Sequence, residues 1–133
     1  MSAKVLDSFA LIAYFRDEPG AEMVENLLVT AGKKDSPPHM TDVNYAEVKY
    51  SIMKKHGARA WEEAAKILQG LPIDFHSTTR EMADAAADFK ARFPMSLADA
   101  FAAALAREKK AELVTGDPEF KAVEKEIKVA WLK

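Results

Sequence analysis

Five short apolar runs punctuate this chain: Val5-Leu6, His39-Met40-Thr41, Ile73-Asp74-Phe75, Glu112 to Thr115, and Ile127 to Leu132. Each is followed or preceded by a stretch that reads as helix. Ser8 to Phe15 is apolar and starts at once after the first run, and residues 21–31 form a second helical stretch that Gly32 is expected to close. The Pro37-Pro38 pair breaks the chain before the next strand. Thr41 or Asp42 can cap a helix reaching His56, with Gly57 as its stop. Trp61, Ala64, Ala65 and Leu68 share one face of a helix ended by Gly70, and Met82, Ala86, Phe89 and Phe93 share one face of another that ends before Pro94. Ser96 caps a helix to Glu108, and Gly116-Asp117-Pro118 turns into a last helix. Short strands alternating with helices of this length are the pattern of βαβ units around a parallel sheet, so the class is α/β.

With 133 residues the chain has room for one hydrophobic core and not for two ordinary ones. It contains no cysteine, which removes disulfides, thiolate metal sites and cysteine nucleophiles and suits a reducing cytoplasm. The first apolar stretch carries Asp7 and lacks a basic lead-in, so no signal peptide is expected, and no run approaches the roughly 20 apolar residues of a membrane span. A soluble cytoplasmic protein is the expectation. The formal net charge of -2 is unlike that of most nucleic-acid binders, although setting four acids aside as ligands raises it to +2. The basic groups Lys33-Lys34, Lys54-Lys55-His56-Arg59 and Lys109-Lys110 read first as helix C-termini, where cations are favoured.

Four carboxylates stand where a neutral residue would be expected. Asp7 follows the first strand and is the sole charge between Lys4 and Arg16; it also suits the N-cap of the helix beginning at Ser8. Glu47 shares the i, i+3, i+4, i+7 stripe of Val43, Ala46 and Tyr50, which places a charge on an inward face unless it snorkels outward. Asn44 lies one turn earlier and can orient it. Asp99 is the sole charge from Leu97 to Ala106 in a helix apolar all round, while its spacing from Ser96 also fits a capping box. Asp117 follows the buried run Leu113 to Thr115 and precedes Pro118, an N-cap position as well. Converging acids repel one another unless cations neutralise them, and hard oxygen donors suit Mg²⁺ or Mn²⁺. Such a centre ionises water and stabilises the in-line displacement of a phosphodiester.

The segments VLDSFALIAYF, TDVNYAEVKYSI, SLADAFAAALA and ELVTGDPEF resemble those of the PIN-domain ribonucleases, and within them the VapC-like toxins of type II toxin-antitoxin pairs. The resemblance implies a single PIN-like domain over residues 1–133, with four to five strands flanked by six or seven helices. It implies a metal-dependent endoribonuclease that leaves 5′-phosphate and 3′-hydroxyl ends, with Asp7, Glu47, Asp99 and Asp117 as the catalytic and metal-binding acids. Ser8, Asn44 and Thr115 match supporting polar positions, and Glu119 matches a less regular acidic one. A homodimer held inactive by a small antitoxin protein is implied as well.

Other functions leave different marks. A catalytically inactive PIN-like module that pairs with proteins has no need of all four acids. A phosphoacceptor receiver domain wants paired acids after its first strand, whereas Ser8 follows Asp7 here. A metal-free ribonuclease needs histidines as acid and base, and His39, His56 and His76 are scattered through the sequence without an evident constellation. HExxH, GxSxG and P-loop motifs are absent.

Overall fold

The computed structural model describes residues 3–133. Five parallel strands form one sheet: β1 (Lys4–Leu6), β2 (His39–Thr41), β3 (Asp74–His76), β4 (Glu112–Thr115) and β5 (Val129–Trp131). Six α-helices flank it: α1 (Ser8–Arg16), α2 (Ala21–Lys34), α3 (Asp42–His56), α4 (Ala58–Gln69), α5 (Arg80–Arg92) and α6 (Leu97–Lys109). A 3₁₀ helix, Pro118–Val123, joins β4 to the last strand.

The strand order is β3-β2-β1-β4-β5. From β1 the chain winds outward through β2 and β3, then returns across β1 to build β4 and β5 on the other side. The order therefore reverses between β1 and β4, and in open α/β sheets ligands gather outside the carboxyl ends of strands at such a reversal. In register, Val5 pairs with Leu113 and Leu6 with Val114. Successive side chains point to opposite faces of a strand. Val5 and Leu113 accordingly pack with α5, α6 and Phe120, while Leu6 and Val114 pack with Ala10, Val24 and Leu28 of α1 and α2. Met40 of β2 anchors a third cluster with Leu11, Val48, Ile52, Trp61 and Leu68. The eight consecutive residues Asp99 to Ala106 of α6 are all buried, which is why the stretch Ala100 to Ala106 is apolar on every side.

Two sequence expectations are corrected and one is made more specific. Gly32 lies inside α2, which runs on to Lys34; Asp35 takes the left-handed conformation at φ 51° and its N–H closes on Ala31. The last helix is present and is of the 3₁₀ kind. The inward face of α3 is Asn44, Val48 and Ile52, not the stripe through Glu47, since Ala46 is exposed and Tyr50 is 58% exposed. Apolar residues at 43 and 50 suggested one face, while the buried one carries a polar residue fully satisfied by hydrogen bonds. The basic groups at 33–34, 54–56 and 109–110 do lie in last helical turns or at a C-cap, as expected, whereas Arg59 lies in the first turn of α4.

Gly57 separates α3 from α4 at φ 93°, ψ 168°, a conformation costly for any L side chain. A methyl group there would touch nothing within 4 Å. Gly57→Ala is thus expected to cost about 1–2 kcal/mol through backbone strain alone, read as a lowered urea midpoint with an unchanged slope.

Candidate active site

The four acids enter from different elements at the carboxyl ends of β1 and β4. Asp7 ends β1 and is 1% exposed. It caps α1, its Oδ1 accepting the Ala10 N–H at 2.9 Å, and its Oδ2 accepts the Thr115 hydroxyl proton at 2.5 Å. The pairing of Leu6 with Val114 makes Asp7 and Thr115 level neighbours, so the parallel register itself creates this contact. Thr115 Oγ1 in turn accepts the Asp117 N–H at 3.0 Å. One hydroxyl thereby ties the acid after β1 to the acid after β4.

Asp117 caps the 3₁₀ helix by accepting the Glu119 N–H at 2.9 Å, with Pro118 at the first helical position. Phe120, fully buried, anchors that turn in the core. Gly116 passes so close to α1 that a Cβ there would meet the Phe9 ring at 2.4 Å, which fixes glycine just before Asp117.

Asp99 enters on the first turn of α6. Its N–H donates to Ser96 Oγ at 3.1 Å, as in a capping box, but the return bond comes from elsewhere: the Ser96 N–H points to Glu119 Oε1 at 3.4 Å. Glu119 thus supplies the box's second half from the far side of the site and leaves the Asp99 carboxyl turned toward the other acids. Carboxylate oxygens of Asp99, Asp117 and Glu119 lie within 4.8 Å of one another. Asp7 and Glu47 are outside that triad, yet the charges of Asp117 and Glu47 both act on Asp7. Glu47 is half-buried at the margin of α3 rather than on its core face. Glu119, secondary on sequence grounds, stands closer to the centre of the cluster than Glu47 does.

Electrostatics mark the same place. Burial pushes the Asp7 carboxyl up to about 7, against the lowering effect of its Thr115 and Ala10 hydrogen bonds and with added repulsion from Asp117 and Glu47. Asp99 is pushed up to about 9, by burial first, then by the hydrogen bond with Glu119 and the charges of Asp117 and Asp7. Without a cation these two acids hold protons near neutral pH. A divalent cation would replace them.

Asn44 is the hub beneath the acids. It is fully buried; its Oδ1 accepts from the Thr41 hydroxyl at 2.5 Å, and its Nδ2 donates to Ser8 Oγ at 3.1 Å and to the Ala98 carbonyl at 3.2 Å. Ser8 Oγ donates back to the Asn44 carbonyl at 3.2 Å. These bonds join α1, which Asp7 caps, to α3 and the first turn of α6, which carry Glu47 and Asp99. Asn44→Ala would strand buried partners on three elements and is expected to cost about 2 kcal/mol, measured by urea unfolding.

The histidines require a further correction. His56 lies apart beside Arg16, but His39 Nδ1 and His76 Nε2 meet at 2.8 Å on adjacent strands, with Asp74 Oδ2 at 3.5 Å from each. Sequence spacing could not bring residues 37 apart together; the adjacency of β2 and β3 does.

The PIN domain family model matches residues 4–126. No curated protein matches the chain. Among solved structures, a chain of VapBC2 from Rickettsia felis, bound to a DNA fragment from its promoter, is 14% identical, with a TM-score of 0.79 over 98% of this chain and 99% of that one. VapC20 of Mycobacterium tuberculosis, a toxin that cleaves the sarcin-ricin loop, is 17% identical, with a TM-score of 0.73 over 91% and 95%. A chain of DNA-bound VapBC from Salmonella typhimurium is likewise 17% identical at a TM-score of 0.73, over 98% of both chains. At such identities these likenesses speak to the fold. A match over nearly the whole length, on a sheet that reverses at a carboxylate cluster, leads to one conclusion: the chain belongs to the PIN domain family.

Proposed function

We propose that this protein is a Mg²⁺- or Mn²⁺-dependent endoribonuclease, the toxin of a toxin-antitoxin pair, with Asp7, Glu47, Asp99 and Asp117 as its catalytic and metal-binding acids. The observation that carries the reading is the convergence of Asp99, Asp117 and Glu119 oxygens within 4.8 Å beside the buried Asp7. Oxygens on one octahedral Mg²⁺, bound at about 2.0–2.1 Å, stand no more than about 4.2 Å apart. The cluster needs only a small contraction, and its all-carboxylate donor set suits a hard cation.

When bound, the cation supplies an ionised water and neutralises charge on the phosphodiester undergoing in-line displacement. The chain's own residues set the geometry. Thr115 and the Ala10 N–H fix both oxygens of Asp7, the Glu119 N–H fixes Asp117, and Ser96 with Asn44 hold the first turn of α6 that presents Asp99. Glu47 contributes charge from the margin, where it meets solvent and the approaching substrate. Glu119 joins the donor set as an additional ligand. Two VapBC complexes and the VapC20 toxin, which cleaves the sarcin-ricin loop, share this fold, which supports a small antitoxin as partner and RNA as substrate; a homodimer as the working form is part of the same proposal.

The test is cleavage of a mixed RNA pool with Mg²⁺, Mn²⁺ or EDTA, with mapping of the product ends. Cleavage with either metal, giving 5′-phosphates and stopped by EDTA, is expected. No cleavage under any condition by folded protein would favour a catalytically inactive protein-binding module. Cleavage that persists in EDTA would favour metal-free acid-base chemistry on His39 and His76.

A further inference from the structure

β3 is the edge strand of the sheet, three residues long, and among the described residues it is paired only with β2. In register His39 pairs with Asp74 and Thr41 with His76. Residues paired across a parallel ladder share a face and alternate along it, so His39, Asp74 and His76 stand on the same side of the sheet. The two imidazoles are four-fifths buried, with side chains 19% and 21% exposed, while Asp74 is half open to solvent at 51%. Each offers one donor atom, and these lie within 4.8 Å of one another.

We propose that His39, Asp74 and His76 form a second metal centre, for a transition metal of the zinc class, that clamps edge strand β3 to β2. Two donors bound to one tetrahedral Zn²⁺ at about 2.05 Å stand about 3.3 Å apart. The observed triangle has sides of 2.8, 3.5 and 3.5 Å. Two sides already fit, and the third opens by about half an ångström once the ring-to-ring hydrogen bond gives way. The ring that donates in that bond adopts its other tautomer, and both lone pairs then face the cation.

Two imidazoles and one carboxylate make a donor set that selects Zn²⁺, Co²⁺ or Ni²⁺ over Mg²⁺, and three protein ligands leave a fourth position for water. The charges of Asp74 and Lys109 bear on His39 with opposite signs. That lysine ends α6, ten residues beyond Asp99, and the two donor sets, His39-Asp74-His76 and Asp99-Asp117-Glu119, share no residue. The two sites are chemically and spatially distinct, and the second does not depend on the nuclease reading.

A metal here has a structural consequence. Three-residue strands offer few ladder bonds, and β3 presents its outer edge unpaired, a condition proteins commonly manage by covering or pinning it. A cation held by one ligand from β2 and two from β3 would secure that edge. Thr41, two residues along β2 from His39, caps α3 and holds Asn44, so pinning the strand pair also steadies the support of the acid cluster.

The test is titration of the protein with Zn²⁺ by calorimetry in excess Mg²⁺, alongside the visible spectrum with Co²⁺. Wild type is expected to bind one equivalent and to give the intense absorption of tetrahedral Co²⁺. His76→Gln and Asp74→Asn, both at the sheet edge, are expected to weaken Zn²⁺ binding by at least about 100-fold, more than the loss of a group that only supports a ligand. Asp99→Asn is expected to keep the full equivalent. Circular dichroism establishes that each variant is folded. Absence of stoichiometric binding in wild type overturns the proposal, as does binding that survives His76→Gln or vanishes with Asp99→Asn.

Discussion

Asp99→Asn is expected to reduce RNA cleavage by at least about 100-fold while making the metal-free protein more stable at pH 8. The two effects have one cause. Asp99 is 6% exposed and faces Asp117, Glu119 and Asp7, so its carboxyl is held protonated to about 9 unless a cation arrives. The unfolded chain ionises it near the ordinary aspartate value of 3.8, and folding at pH 8 must therefore restore a proton. An amide of nearly the same shape avoids that cost and gives back part of it through weaker hydrogen bonds to Glu119 and Asp117. With each pKa unit equal to about 1.4 kcal/mol, a net gain of about 2 kcal/mol is expected in EDTA. Urea unfolding and initial cleavage rates measure the two halves separately. A variant that loses activity and stability together would point instead to a capping role for Asp99.

The second large effect is on pH dependence. In EDTA, stability is expected to fall as pH rises from 5 to 9. Both Asp7 and Asp99 bind protons more tightly in the folded state, at about 7 and about 9, than in the unfolded chain near 3.8. Between those values the native state carries more protons, so the free energy of unfolding decreases with pH, by about 1.4 kcal/mol per pH unit for each group. Their contribution is complete below the unfolded value and is lost as pH passes 7 and then 9. Saturating Mg²⁺ or Mn²⁺ should reverse the loss, since a cation neutralises what the protons otherwise neutralise. At a hundred times its dissociation constant a ligand specific to the folded state adds about 2.7 kcal/mol. Thermal unfolding across pH with and without metal gives both curves. A metal-free profile that is flat or rising over this range would contradict the electrostatic account of the cluster.

How much of this was legible in the sequence follows from where each signal resides. Asp7 and Asp117 announced themselves because each follows a buried run, at once or after one glycine, and Asp99 because no other charge accompanies it in the apolar stretch Leu97 to Ala106. Asp7 and Asp117 are N-caps as well as cluster members, and Asp99 sits three residues inside the cap that Ser96 makes, so the alternatives weighed on sequence grounds were not exclusive: capping geometry aims each carboxyl. Glu47 was placed on the core face by a stripe of apolar neighbours. The true face turns on Asn44, whose burial depends on partners in α1 and α6 that periodicity cannot reveal.

Long-range partnerships were hidden for the same reason. That Glu119 completes the capping box of Ser96 is a fact of tertiary structure, and so is the meeting of His39 with His76. Periodicity reports which face of an element is buried; strand order and register decide which residues then share a space. The reversal of strand order between β1 and β4 is the step that gathers the acids, and it is visible only in the assembled sheet.

Most direct for the central claim is the position of Mn²⁺ located by anomalous scattering in crystals of the wild-type protein. The account expects the ion between Asp99 and Asp117, within reach of Asp7 or Glu119, and its loss from that position in Asp99→Asn crystals. An acid cluster that stays empty at saturating Mn²⁺, or an ion bound only elsewhere, would contradict it.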